Sequence, residues 1–524
     1  MSSVNWAGVW VGYDRINYWL EKMSDLRREA HLIKTGMVEL DTVLGGGLPP
    51  DRVYLVHGTP GSGKTTLSLQ FLLEGVRNGE KVLYVTLSET RDELAAVAHS
   101  HGMNLEGVEI FELLPEERDL DPEHQYTMFQ PSEVELNITT KEILDIVDRL
   151  KPRRVIIDSL SEIKLLAQNA LRFRRQVLAL KQYFSGRACT VLFLDDKTSA
   201  GEDALQLESI AHGVISLEQL SPEYGAERRR LRITKLRGQK YRGGYHDFTI
   251  VKGGLTVFPR IVANEHAFPR EGALVKSGVA SMDAMLGGGL RSGTSVLLLG
   301  PAGVGKSSLS IQYAVEAARR GEASVLFTFD ERKETMLERA DGLNMPLREF
   351  IDSGLIDVRA IDPAELSPGE FAHRVRQAVE GNGQGSVRVV VIDSLNGYLN
   401  AMPEERFLTA QLHELLTYLG HLGVVTFLVV AQHGLLGQAM KTSIDTSYLA
   451  DTVILFRYFE AKGEVRQLVS VLKKRNGQHE RTIREFSLGG EGISIGKPLT
   501  DFQGVLTGTP VFQGPGDLLI VRDE

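Results

Sequence analysis

One pattern occurs twice in this chain, and it constrains the fold more than any other feature of the sequence. The segments 35–41 and 44–48 recur as 277–283 and 286–290, a constant separation of 242 residues (277 − 35). Solenoid repeats are only about 20 to 50 residues long, so a period of this length indicates a duplicated domain. The sequence therefore predicts two homologous domains of about 240 residues each.

The duplication divides the chain into four predicted segments. The first domain is predicted at 31–263 and the second at 264–510, leaving an N-terminal extension, 1–30, and a short C-terminal tail, 511–524. The extension has no counterpart in the second copy and contains all three tryptophans: Trp6, Trp10 and Trp19. It is interpreted either as an amphipathic docking helix or, slightly favoured, as a translated leader upstream of a start at Met23.

Short apolar runs alternate with helical patterns in both copies. Buried strands are predicted at 53–57, 82–87, 155–157 and 191–194, and again at 296–299, 325–329, 389–392 and 424–430. Between the first two strands, an apolar stripe at Leu67, Phe71, Leu72 and Val76 has helical spacing. Apolar strands separated by helices predict the α/β class, with a mostly parallel sheet covered by helices on both faces. Antiparallel hairpins are predicted after Lys235 and Lys473.

A glycine-rich phosphate loop follows the first strand of each copy and opens a helix. Its main-chain N–H groups cradle phosphates, its lysine reaches the β and γ oxygens, and its Thr or Ser hydroxyl holds Mg²⁺. Two matches in register within a duplication make a chance glycine-rich turn negligible. The predicted ATP-binding residues of the loops are Gly58, Thr59, Gly61, Ser62, Gly63, Lys64, Thr65 and Thr66, and Gly300, Ala302, Gly303, Val304, Gly305, Lys306, Ser307 and Ser308.

An acid that orients Mg²⁺ is expected at the end of a neighbouring strand. Asp158 and Asp393 each follow an apolar run, and with Thr65 and Ser307 they form the predicted metal sites. An apolar run ending in Asp is weak evidence alone, since Asp also caps helices, but it gains weight beside a phosphate loop.

Hydrolysis also needs a group that orients the attacking water, usually a carboxylate near the γ-phosphate. Glu89 and Glu331 lie 25 residues after Lys64 and Lys306 (89 − 64 and 331 − 306), just past a strand. They are predicted to be catalytic together with Asp330, and the alternative is a solvated strand end. Ser88 occupies the position of Asp330 in the first copy. This difference predicts unequal activity of the two sites.

These motifs together resemble the KaiC family, double-domain relatives of RecA. Further matching segments are 226–230, 235–238, 451–455, 473–475 and 483–486, so that the resemblance covers about residues 32 to 510. It implies a homohexameric double ring with ATP bound between subunits, ATP hydrolysis in the first ring and Ser/Thr autophosphorylation in the second. It also implies that Lys235, Leu236 and Arg237, and Lys473 and Arg475, reach a neighbour's nucleotide. Apart from the resemblance, these would be interpreted as a solvated basic strand.

The chain departs from the family pattern at several positions. The family has two adjacent glutamates where this chain has Ser88-Glu89 and Asp330-Glu331, so first-domain hydrolysis depends on Glu89. The family's adjacent Ser-Thr acceptor pair falls on Ser447 and Tyr448, which makes Ser447 the candidate phosphoacceptor. Thr442, Ser443 and Thr446 are nearby alternatives, or the segment is simply a polar loop. With its short tail, the chain favours a signalling ATPase or kinase with protein partners over a three-component clock.

Composition and charge limit the other functions. Lys and Arg number 59 against 68 Asp and Glu, a net charge of −9, which provides no general attraction to nucleic acid. A RecA-like DNA-dependent ATPase or recombinase therefore remains only an alternative, as does an ATP-gated scaffold without enzymatic activity. The single cysteine, Cys189, fits a reducing compartment, and no apolar run is long enough to span a bilayer. We expect a cytoplasmic protein with no membrane partner.

Overall fold

The structure is a computed structural model. It describes residues 32–113, 131–197, 207–222, 224–263, 272–381, 386–400, 408–432, 448–461, 463–507 and 511–512. The N-terminal extension and Ser447 lie outside these residues, so the predictions made for them stay predictions. The chain divides into two compact units, the first ending at Arg260 and the second beginning at Ile261, with Tyr224–Ala226 grouped with the second.

The first domain consists of strands and helices in alternation, followed by hairpins. Its described strands are β1 (Val53–Gly58), β2 (Val82–Thr86), β3 (Val108–Glu112), β4 (Arg154–Asp158), β5 (Thr190–Asp196), β6 (Gly213–Leu220), β7 (Arg228–Leu236), β8 (His246–Val251) and β9 (Gly254–Phe258). Its helices are α1 (Val38–Val43), α2 (Lys64–Arg77), α3 (Arg91–Ser100), α4 (Pro131–Leu150), α5 (Leu160–Ala167) and α6 (Ala170–Phe184).

The second domain repeats this order. Its described strands are β10 (Leu274–Val275), β11 (Leu290–Arg291), β12 (Ser295–Gly300), β13 (Ala323–Thr328), β14 (Ile356–Ala360), β15 (Val387–Asp393), β16 (Val425–Ala431), β17 (Thr452–Ala461), β18 (Glu464–Lys474), β19 (Ile483–Gly489), β20 (Gly492–Pro498), β21 (Phe502–Gln503) and β22 (Val511–Phe512). Its helices are α7 (Ala280–Met285), α8 (Lys306–Arg319), α9 (Lys333–Gly342), α10 (Leu347–Asp352), α11 (Pro368–Glu380), α12 (Leu395–Asn400) and α13 (Leu408–His421), and a 3₁₀ turn spans Val505–Thr507.

The two large sheets have the same strand order. The first is β3-β2-β4-β5-β1-β6-β7-β8-β9, and the second is β14-β13-β15-β16-β12-β17-β18-β19-β20. In each sheet the first six strands pair in parallel and the remaining three are antiparallel. The predicted α/β class is confirmed, because both domains are mostly parallel sheets flanked by helices.

The central strands are apolar on both faces because helices cover each face. Every residue of β1, β2 and β4 is buried. One face packs against α2 through Leu67, Phe71 and Leu72, and the opposite face packs against α4, α5 and α6. The strand predictions are confirmed, with ends that differ from those of the structure by at most two residues.

The parallel arrangement fixes where functional residues gather. Because β1, β4 and β5 run in the same direction, their carboxyl ends lie at one edge of the sheet, and β12, β15 and β16 repeat this edge. Ligands of open α/β sheets bind at this edge. Within the described helices, none is both long and apolar enough to cross a membrane. The cytoplasmic location stays a prediction.

Candidate nucleotide sites

Each phosphate loop joins the carboxyl end of a central strand to the first residue of a helix. In the first domain the loop runs from Gly58 to Lys64, and in the second it runs from Gly300 to Lys306. Four glycines turn the loops with positive φ angles: 76° at Gly61, 95° at Gly63, 77° at Gly303 and 99° at Gly305. Side chains with a Cβ rarely adopt these angles, so the loop geometry requires glycine there. The two loops can therefore present main-chain N–H groups to a phosphate.

The loop lysine of the first domain is engaged by the protein itself. Nζ of Lys64 donates to the main-chain oxygens of Gly58 (3.1 Å) and Thr59 (3.0 Å) and lies 2.7 Å from Oδ1 of Asp196. An ammonium group has three N–H donors, so these three acceptors account for all of them. Asp196 ends β5, where its register partner in β1 is Gly58.

The loop lysine of the second domain has different surroundings. Nζ of Lys306 donates to the main-chain oxygens of Gly300 (2.8 Å) and Pro301 (2.6 Å). Ala431 occupies the place of Asp196, and no carboxylate of the described residues lies within salt-bridge distance of Lys306. Burial lowers the pKa of Lys306 to about 8, against an opposing effect of Asp393. The second loop therefore has a positively charged group with less compensation than the first.

Thr65 and Asp158, the predicted metal residues of the first domain, lie on either side of a buried tyrosine. The Tyr84 hydroxyl donates to Oδ2 of Asp158 at 2.5 Å. Burial raises the pKa of Tyr84, and the nearby Thr65 side chain opposes the increase. Burial raises the pKa of Asp158, and the Tyr84 hydrogen bond opposes the increase. The loop hydroxyl and the strand-end acid are thus within reach of one small group.

In the second domain the corresponding hydroxyl and acid are neighbours without an intervening tyrosine. Ser307 lies in the first turn of α8, Asp393 ends β15, and Leu326 stands where the first domain has Tyr84. Burial raises the pKa of Asp393, and the nearby Ser307 hydroxyl opposes the increase. Within the described residues, no three His, Cys, Asp or Glu side chains gather as a metal site. Mg²⁺ typically takes one or two protein carboxylates and completes its shell with substrate phosphates and water, so a hydroxyl with one nearby acid fits it.

Glu89, the predicted water-orienting residue of the first domain, has a buried carboxylate oxygen that no described residue contacts by a hydrogen bond. Its main chain is held by Thr86, whose Oγ1 accepts from Glu89 N at 3.0 Å and donates to Glu89 O at 2.7 Å. Oε2 is buried and has no partner among the described residues. Burial raises the pKa of Glu89, and Asp158 raises it further.

The corresponding acids of the second domain are both hydrogen-bonded. Glu331 makes a bidentate pair with Arg339, with two N–O distances of 2.9 Å, whereas the matching position in the first domain is Val97. Ser394 donates to Oδ2 of Asp330 at 2.5 Å. Burial raises the pKa of Glu331 although Arg339 opposes the increase. Arg339 and Ser394 therefore fix the orientation of two acids whose first-domain counterparts are one glutamate and one exposed serine.

The cations that the resemblance assigns to a neighbour's nucleotide do not contact the phosphate loops of their own domains within the described residues. Lys235 donates to the main-chain oxygens of Glu208 and Ser209, and Arg237 is exposed. Lys235 lies opposite Val214, which pairs with Leu55, three residues before Gly58. The position of Lys235 is therefore toward the amino edge of the sheet.

The second domain repeats this arrangement. Lys473 donates to the main-chain oxygen of Ala450 at 2.9 Å, and Arg475, which is exposed, donates to that of Tyr448 at 2.8 Å. Leu236 differs from these cations because it is buried in the first-domain core.

Comparison with known proteins agrees with this duplicated geometry. The sequence pattern of the KaiC ATPases matches residues 33–261 and again residues 275–500. The chain belongs to the KaiC ATPase family. Membership of this ATPase family implies ATP binding, and the sequence resemblance to KaiC is confirmed.

Two KaiC relatives illustrate how far the similarity extends. The chain is 25% identical over 495 residues to the circadian clock protein KaiC3 of Synechocystis sp., covering 93% of this chain and 96% of the relative. It is 26% identical over 484 residues to the circadian clock oscillator protein KaiC of Picosynechococcus sp., covering 91% and 92%. The similarity therefore spans both domains of this KaiC-like ATP-binding protein.

Sequence reasoning missed several polar residues around the first phosphate loop of this KaiC-family chain. His57, Tyr84, Asp195, Asp196 and Ser216 are replaced in the second domain by Leu299, Leu326, Val430, Ala431 and Leu455. One signal was available, because Asp195 and Asp196 directly follow an apolar run, as Asp158 does. No sequence signal linked Arg339 to Glu331.

Proposed function

We propose that this KaiC-family protein binds Mg²⁺-ATP at both phosphate loops and hydrolyses it. The main supporting observation is that each domain brings its loop hydroxyl and its strand-end acid to the same edge of the sheet, with Tyr84 between Thr65 and Asp158 and with Ser307 near Asp393. The loop glycines and Lys64 or Lys306 would hold the phosphates. The metal, when bound, neutralises charge that develops on the transferring phosphoryl group.

The carboxylates beyond the second strand would orient the attacking water. In the second domain this role belongs to Asp330 and Glu331, which are fixed by Ser394 and Arg339. In the first domain Glu89 takes the role alone, and its unpartnered buried oxygen is available to accept a hydrogen bond from water. We therefore expect slower hydrolysis in the first domain.

The proposed active form is a homohexameric double ring in which each nucleotide lies between subunits. Lys235 and Arg237, and Lys473 and Arg475, would stabilise phosphoryl charge on the adjacent subunit's ATP. Supporting this role, Arg237 and Arg475 are exposed, so a neighbouring subunit can reach them, and Lys235 and Lys473 are held by main-chain oxygens of their own domain.

The second ring is proposed to phosphorylate itself on Ser447. Arg475 donates to the main-chain oxygen of Tyr448, the residue that follows Ser447 in the chain. A cation that contacts a neighbour's ATP would therefore hold the acceptor segment close to the γ-phosphate. In this reaction the γ-phosphoryl group of ATP is transferred to the Ser447 hydroxyl oxygen, and ADP and the hydroxyl proton are released.

The test follows γ-labelled ATP with wild type, Lys64→Ala and Lys306→Ala, separating label released as phosphate from label retained on protein. We expect retained label to depend on Lys306 and ATP-dependent assembly, measured by light scattering, to depend on Lys64. Normal labelling of Lys306→Ala would contradict the kinase assignment. Phosphopeptide mapping that finds no label at 442–447 would contradict the acceptor assignment.

The two alternatives give distinct results in the same assay. A DNA-dependent ATPase would release more phosphate when single- or double-stranded DNA is added. A nucleotide-gated scaffold would assemble with ATP, and bind signalling partners, yet neither release nor retain label.

A further inference from the structure

The carboxylate of Asp196 touches the group that should contact phosphate. Its Oδ1 lies 2.7 Å from Nζ of Lys64, and the lysine side chain is only 9% exposed. The lysine of such a loop is the one that reaches the β and γ oxygens of the nucleotide. Since the remaining N–H donors bind the oxygens of Gly58 and Thr59, no donor of Lys64 is left for a phosphate.

The surroundings of this pair add further negative charge. Burial raises the pKa of both Glu89 and Asp158, and the negative charge of Asp196 raises both further. Asp158 also raises the pKa of Glu89. A nucleoside triphosphate that enters this site therefore meets a lysine whose N–H donors are already hydrogen-bonded, and it also meets additional carboxylates. The second domain differs at the decisive position, where Ala431 replaces Asp196.

We propose that Asp196 sets the ATP affinity of the first domain by competing with the nucleotide for Lys64. The proposal rests on the proposed role of the loops as ATP sites. ATP binding breaks the Lys64–Asp196 ion pair, and the ammonium exchanges a carboxylate oxygen for phosphate oxygens. The Asp196 side chain is 33% exposed, so water can solvate the released carboxylate.

This competition predicts that removing the Asp196 charge tightens ATP binding. Because the Lys64–Asp196 ion pair is partly buried, its loss should change the ATP affinity of the first domain by about tenfold. This change lies between the contributions typical of exposed and of buried ion pairs. Asp196→Asn keeps the side-chain size and removes the charge. Ala431→Asp creates the matching carboxylate in the second domain.

The experiment uses the full-length chain and the photoreactive probe 8-azido-ATP with Mg²⁺. The azide on adenine C8 crosslinks residues near the base, and the labelled peptides of each domain are quantified separately by mass spectrometry across a probe titration. We expect Asp196→Asn to lower the half-saturating probe concentration of the first domain about tenfold while that of the second domain is unchanged. Ala431→Asp should raise the half-saturating concentration of the second domain only.

The outcomes separate this inference from the proposed function. If wild type labels both domains and Asp196→Asn leaves first-domain half-saturation unchanged or raises it, Asp196 is not a competitor. If excess ATP displaces no label from either domain of wild type, the loops are not ATP sites and the proposed function itself is wrong. Hydrogen exchange of the β4 and β5 amides, which Asp196→Asn should leave unchanged, controls for folding of the first domain, and second-domain labelling controls for the probe concentration.

Discussion

The two domains share one topology but differ in the chemistry of their phosphate sites. Their large sheets have the same strand order and both loops have the same glycine geometry. Around the loops, however, the positions of Tyr84 and Asp196 in the first domain are occupied by Leu326 and Ala431 in the second. The comparison shows that the buried core maintains the same fold in both domains. A few strand positions near the loops differ between the domains without altering this fold.

The largest predicted difference between the domains is in the stability lost when an ion pair outside the phosphate loops is removed. Arg154 is 1% exposed, its Nε is 2.5 Å from Glu80, and its Nη1 donates to the carbonyls of Lys34 and Phe71. Arg154→Ala should destabilise the first domain by about 3–5 kcal/mol, because it leaves a buried cavity and removes the hydrogen-bond partner of the Lys34 and Phe71 carbonyls together with the ion-pair partner of Glu80. Hydrogen exchange of the β4 amides measures this loss.

The second domain contains the matched control for that prediction. Glu322 stands 242 residues after Glu80 and pairs with Arg388 at 3.1 Å, but the Arg388 side chain is 21% exposed. Arg388→Ala should therefore cost only about 1 kcal/mol, measured by exchange of β15 amides. Equal losses in the two domains would show that burial does not distinguish these pairs.

The next effect concerns the strand-end acids. Asp158→Asn and Asp393→Asn should each lower Mg²⁺-dependent phosphate release by their own domain about 100-fold, the upper range for groups that orient a metal shell. Asp158→Asn is measured with the second domain silenced by Lys306→Ala, and Asp393→Asn is measured with the first domain silenced by Glu89→Gln, which keeps Lys64 for ATP-dependent assembly. If phosphate release falls for only one of the two variants, the acid replaced in the other variant has a structural role and does not orient the metal.

A smaller effect should follow from restoring the missing carboxylate. Ser88→Glu gives the first domain the acid that Asp330 supplies in the second, and we expect about tenfold faster turnover, below the full effect of an optimised base. Asp330→Ser is the reciprocal change and should slow the second domain. Phosphate release that Ser88→Glu leaves unchanged would identify Glu89 as sufficient.

The smallest effect is a pH dependence of the second site. Burial lowers the pKa of Lys306 to about 8, so the ammonium that binds phosphate loses its proton as pH rises through this value. Second-domain ATP affinity should therefore fall about threefold between pH 7.5 and 8.5. Lys306→Arg, which stays charged, should remove the dependence, and Ala431→Asp should move it to higher pH. A dependence that persists in Lys306→Arg would assign it to another group.

Most of the fold and the main parts of the site could be predicted because their signals are local. A phosphate loop, the strand before it and the helix after it are contiguous, and the acids Asp158 and Asp393 directly follow apolar runs. The partners of these residues could not be predicted in this way. Arg339 pairs with Glu331 because Arg339 lies on α9, which begins just after Glu331 and brings the guanidinium back to this carboxylate.

The sequence alone thus determined the duplication, the α/β class, the two phosphate loops and the family. Only the tertiary structure decided which loop lysine meets a carboxylate. Gly58 and Asp196 are 138 residues apart in the chain (196 − 58), yet strand register makes them neighbours. Such contacts depend on which strands pair and in what register, and the long-range packing of the sheet determines both.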